Sequence, residues 1–117
     1  MRLISLLVML LLGGPATTSA QTTIPADSAS RHVGETVTVC AEVFGVKSLE
    51  KLTFINMGAA YPNSPLTVVV FAEDRSNFPE PLEKLYGNKL ICVTGKIELF
   101  KGRTEIVVKG PLSIQVQ

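Results

Sequence analysis

Phe54 follows Lys47 and Lys51 along the chain, Phe100 precedes Lys101 and Arg103, and Phe71 ends a β-branched run between the two groups. Aromatic rings stack on nucleobases at roughly 1–3 kcal/mol per base, and cations neutralise phosphates. These residue types together are therefore the chemistry of single-stranded nucleic-acid binding. The two cysteines offer a different chemistry. Cys40 lies in Val37 to Val43 and Cys92 in Leu90 to Ile97, both strand-like. Side chains alternate between the faces of a strand. Val37, Val39, Ala41 and Val43 therefore share the apolar face and leave Cys40 with Thr38 and Glu42. Ile91, Val93, Gly95 and Ile97 likewise leave Cys92 with Thr94 and Lys96. Both thiols take the outer face, where two neighbouring strands can be stapled without disturbing a core.

Enzymatic chemistry finds little support. His32 is the single histidine, and no nucleophile in a recognisable motif accompanies it. Ser64 and Ser76 fall in loops without a histidine nearby in sequence. Glu73 and Asp74, next to Arg75, read as turn and cap residues after a strand. There is no spaced aspartate series for calcium and no phosphate-cradling glycine motif. The chain is expected to be neither an enzyme nor the carrier of a metal or other cofactor.

The start of the chain decides whether a disulfide is reasonable. Arg2 is followed by an apolar run from Leu3 to Leu12, then Gly13, Gly14 and Pro15, then small residues ending at Ala20. This is the layout of a cleaved secretory signal. The run of about ten residues is well short of the roughly 20 that span a bilayer, so no membrane anchor is expected after cleavage. The expected organisation is a signal over residues 1–20 and one domain over 21–117, exported to the periplasm or the medium. Loss of Arg2 leaves ten Lys and Arg against ten Asp and Glu. A neutral domain argues against strong non-specific nucleic-acid binding but leaves room for a local basic patch. In an oxidising compartment two cysteines favour a Cys40 to Cys92 bridge, the alternative being two free, partly covered thiols.

The elements follow from pattern and punctuation. A short helix is expected from Pro25 to His32 and a first strand from Thr36 to Val46, bent or bulged at Gly45. After a connection from Lys47 to Lys51 comes a second strand, Leu52 to Met57, and then an ordered, proline-rich loop through Tyr61 to Pro65. A third, β-branched strand runs from Leu66 to Phe71. Between Glu73 and Asn88 one short helix carries Leu82 and Leu85. A fourth strand, Lys89 to Leu99, turns at Lys101 and Gly102 into a fifth, Arg103 to Lys109, and a short strand or extension closes the chain at Leu112 to Val116. Three strands, a helix and two strands match an all-β, five-stranded Greek-key barrel of the OB type, with its helix between the third and fourth strands. In that barrel the first and fourth strands are neighbours, as the cysteine parity requires. A small sandwich or SH3-like barrel explains the helix position less well.

The chain also resembles small exported bacterial OB-fold domains of the anticodon-binding type, some of which are found beside secreted nucleases. The resemblance rests on His32 to Cys40 (HVGETVTVC), Thr53 to Gly58 (TFINMG), Tyr86 to Lys89 (YGNK) and Ile91 to Ile97 (ICVTGKI), within about Ile24 to Val116. It implies nucleic-acid binding by association. In anticodon-binding OB domains a phenylalanine in a Phe-x-x-Leu-like strand stacks on a base, and Phe54 to Met57 is similar.

The binding surface of an OB barrel is the outer face of its second and third strands with two flanking loops. There, parity places Phe54, Asn56 and Leu52 outward on the second strand, and Thr67, Val69 and Phe71 outward on the third. Lys47 and Lys51 are expected in one flanking loop, and Phe100, Lys101 and Arg103 at the other. The expected function is weak binding of single-stranded DNA or RNA on this face. The alternative is an exported OB domain that binds a protein, a peptide or a small envelope ligand.

Overall fold

The computed structural model describes residues 22–117, so the expected signal over 1–20 lies outside the described residues. Among the described residues seven strands form one mixed sheet, and five of them close into a ring. The strands are β1 (Thr23–Pro25), β2 (Thr36–Ser48), β3 (Leu52–Met57), β4 (Leu66–Phe71), β5 (Leu90–Phe100), β6 (Arg103–Val107) and β7 (Ile114–Val116). The ring runs β2-β3-β4-β6-β5 and returns to β2, with β1 and β7 paired on its outside. Thus β2 to β6 correspond to the five expected strands. The first and fourth of them are neighbours.

Two long strands close the ring by each serving two partners. The first half of β2, Thr36 to Glu42, pairs antiparallel with β5, and the second half, Val43 to Ser48, pairs with β3. The register slips between Val43 and Gly45, where the sequence anticipates a bend. A bulge sharpens local twist and lets one strand pass from one neighbour to the next. In β5 the change of partner comes between Lys96 and Ile97. A Cβ on Gly95 would lie 2.6 Å from the Ile106 side chain, so glycine lets β5 and β6 approach closely there.

The interior is aliphatic. Val37, Val39, Val43, Ile55, Met57, Leu66, Val68, Val70, Ile91, Val93, Ile97 and Ile106 meet inside the ring. The 3-10 turn Ala26–Arg31 adds Ala26 and Ala29. Between β4 and β5 the expected short helix, opened after Pro79 and Pro81 and stopped at Gly87, is the five-residue α1, Leu82–Tyr86, and a 3-10 turn, Ala72–Asn77, precedes it. Pro79 and Pro81 separate them, because proline lacks an amide donor. Phe78, Leu82 and Tyr86 are buried, and the Phe78 and Tyr86 rings meet edge to face at 6.2 Å. Burial pushes the Tyr86 phenol above its usual value of 10.0.

The cysteines are joined. Cys40 and Cys92 stand directly opposite in the β2–β5 ladder, bridged with a Cα separation of 4.0 Å. Two positions along the same outer face, Thr38 and Thr94 share a 2.7 Å hydrogen bond between hydroxyls. Among the described residues no helix is long and apolar enough to cross a membrane.

Candidate nucleic-acid interface

The side chains that could bind a ligand gather where β2, β3 and β6 meet the loop before β4. A groove of about 260 Å³ is lined by Lys47, Leu49, Phe54, Asn56, Tyr61, Thr67 and Arg103. Lys47 is in β2 and not in a loop as expected, because β2 continues to Ser48. It therefore stands opposite Phe54 in the register, at the edge of the groove.

Arg103 is central. Its guanidinium lies 4.7 Å from the Phe54 ring centre and 6.0 Å from that of Phe100. Its Nε donates to Glu105 Oε2 at 2.6 Å. The Glu105 side chain is only 8% exposed, against 32% for Arg103. A carboxylate fixed in the sheet thus holds the planar cation over an aromatic face, a geometry that charge and ring quadrupole both favour.

Asn56 is expected outward, and it does line the groove, but it is buried, with 8% exposure. Its Oδ1 accepts from Thr67 Oγ1 at 3.1 Å and from Ser64 Oγ at 3.3 Å. These hydroxyls lie over the amide oxygen and satisfy that acceptor, as a buried polar atom requires. Thr67 and Val69 are buried as well, although parity puts them on the outer face. Val69 sits in a shallower depression with Leu52, Phe71, Phe100, Arg103 and Glu105. Phe71 is exposed and belongs to this second depression, which meets the main groove at Arg103.

Lys101 and Phe100 are exposed at the β5–β6 turn, with the Lys101 ammonium 5.4 Å from the Phe100 ring centre. Lys101 and Arg103 also border a polar cleft of about 350 Å³ that includes Asp27, Ser30 and Tyr61. Lys51 is exposed in the β2–β3 turn and lines none of these hollows. Arg75 fastens that turn by donating to the carbonyls of Leu49 and Glu50. Tyr61 escapes the strand-based reading, yet it is 73% exposed and borders both the groove and the cleft. The one signal for it is an aromatic residue within a proline-rich loop.

Comparison of the fold decides its class. OBody AM1L10, solved bound to hen egg-white lysozyme, matches with a TM-score of 0.57 at 15% identity, over 87% of this chain and 98% of its own. The chain has an OB fold. A chain assigned as an aspartyl-tRNA synthetase from Leishmania major Friedlin matches with a TM-score of 0.56 at 18% identity, over 90% of this chain. The Stn1-Ten1 complex of S. pombe matches with a TM-score of 0.55 at 16% identity, over 70% of this chain. This OB domain spans 22% of the synthetase chain and 57% of the matched chain in the Stn1-Ten1 complex. No family model matches the chain, and no curated protein matches it in sequence.

Proposed function

We propose that the chain is an exported OB-fold module, a Greek-key barrel without enzymatic activity, that binds single-stranded nucleic acid weakly on the outer face of β3 and β4. The observation that carries this reading is the Arg103 guanidinium held over Phe54 beside an open groove that Lys47 and Tyr61 also border. A base stacked in the groove on the layered Phe54 and Arg103 pair would leave its phosphates near Lys47 and the free edge of the guanidinium. Lys101, at the rim of the polar cleft, extends the charged track. The Cys40 to Cys92 bridge and the signal-like leader support export, since disulfides persist in oxidising compartments.

Fluorescence anisotropy with a labelled oligonucleotide at low salt tests the reading. Phe54→Ala should weaken binding by about one to two orders of magnitude, the range that stacking of one base implies. Equal affinity in a correctly disulfide-bonded Phe54→Ala variant would refute the stacking platform. The apolar, exposed Phe71, Leu99 and Phe100 favour a second reading, an exported protein or peptide partner. Partner capture that is insensitive to salt, with no oligonucleotide bound at low salt, selects it.

A further inference from the structure

The hydrogen bonds that Asn56 makes among the described residues both fall on its carbonyl oxygen. An amide oxygen has two lone pairs, and Ser64 and Thr67 occupy both. The Nδ2 end carries two donors and borders Gly45, the residue opposite it in the ladder. A Cβ on Gly45 would stand 4.0 Å from Nδ2, so the missing side chain leaves that end of the amide uncovered. A side chain more than nine-tenths buried therefore lines the groove with its acceptor saturated. Phe54 is two positions away on the same face, about 7 Å along the strand. A base stacked there can bring its edge to Asn56.

We propose that Asn56 is the specificity-determining residue of the groove, presenting donors alone and so favouring bases whose exocyclic group at the 4 or 6 position is a carbonyl (thymine, uracil, guanine) over adenine, where it is an amino group. Asparagine recognises adenine by accepting from N6 while donating to N7. With Oδ1 saturated, the accepting half of that contact is lost. Adenine can still accept one bond at N7, but its N6 amino group then faces the amide's own donors with no acceptor, whereas thymine and uracil O4 and guanine O6 are acceptors at that position. This inference rests on the nucleic-acid reading above.

The test is equilibrium binding of short oligo(dT) and oligo(dA) to the disulfide-bonded protein. Thymidine tracts also bind more readily because they stack on themselves less, so the decisive quantity is how the dT to dA affinity ratio changes between variants. Asn56→Asp, which replaces the donors with an acceptor, should lower the ratio by about fivefold, the scale of one hydrogen bond. Ser64→Ala, which removes the loop hydroxyl from one lone pair of Oδ1, should lower it by improving dA binding. Gly45→Val, which covers Nδ2 without touching its partners, should lower it by weakening dT binding. Should Asn56→Asp misfold, the other two variants carry the test. An unchanged ratio, with Phe54→Ala still weakening binding, overturns the role of Asn56 and leaves the stacking platform intact. Failure of the unmutated protein to bind either oligonucleotide at low salt overturns both.

Discussion

Glu105→Gln should make the protein bind nucleic acid more tightly. In the native groove the charge of Arg103 is balanced by Glu105, whose side chain is almost wholly buried and accepts from Nε at 2.6 Å. Glutamine keeps an acceptor at the same place, so the guanidinium should stay over Phe54 while the balancing charge disappears. Arg103 then acts as one additional free cation towards phosphate. For a single strand each neutralised phosphate adds about −0.7 to the slope of log affinity against log salt. One extra contact therefore strengthens binding by roughly eightfold at about 50 mM salt and roughly threefold at about 200 mM. Anisotropy titrations across that range measure both quantities, and urea unfolding establishes that the variant remains folded. A slope no steeper than that of the native protein refutes the placement of Arg103 on the phosphate path. So does weaker binding by the folded variant.

Two further predictions concern stability. Replacing both Cys40 and Cys92 by serine should cost about 4 kcal/mol, from opening a loop between residues separated by 52 positions. Denaturant unfolding measures that cost, and the dT to dA ratio should not move, because the bridge lies on the β2–β5 seam and lines none of the hollows beside β3. Tyr86 predicts a loss of stability at alkaline pH. Its phenol is raised above 10.0 in the fold by burial, so below that value it is neutral in both states and contributes no pH dependence. As pH climbs further, the unfolded chain loses the proton first and the folded state is progressively destabilised. Urea midpoints at about pH 8 and about pH 11 measure this, and Tyr86→Phe should show the smaller decline. An equal decline in both proteins removes Tyr86 as the cause.

What the sequence made legible was whatever depends on alternation. The bounds of β3 and β4, the outward direction of both cysteines and the bend at Gly45 all come from period-two patterns and glycine punctuation. Lys47 and Ser48 continue β2 because β3 supplies their hydrogen-bonding partners, while their polar side chains alone suggest a loop. The three-residue β1 is too short to show a pattern and exists through parallel pairing with β2. Parity names a face, and burial is decided by what lies over it. Val69 and Asn56 face outward and are still covered. Asn56 is covered partly by Ser64, from a loop whose path past β3 has no periodic signature. Tyr61 reaches the groove from the same loop.

Gly45 links the closure of the ring to the proposed chemistry. A residue with a side chain could occupy its backbone position, since it does not have the positive φ that Gly34, Gly58 and Gly102 adopt. Its lack of a Cβ matters for a different reason. The bulge it follows turns β2 from β5 towards β3, and the register that results sets Gly45 opposite Asn56. The bend that carries β2 around the ring therefore also places a residue without a side chain beside Nδ2 of the buried Asn56 amide. On this argument Gly45→Ala, whose new methyl would make ordinary contact with Nδ2, leaves the fold intact, while a larger side chain acts on selectivity first. Barrel closure and base preference can be separated by side-chain size at that single position.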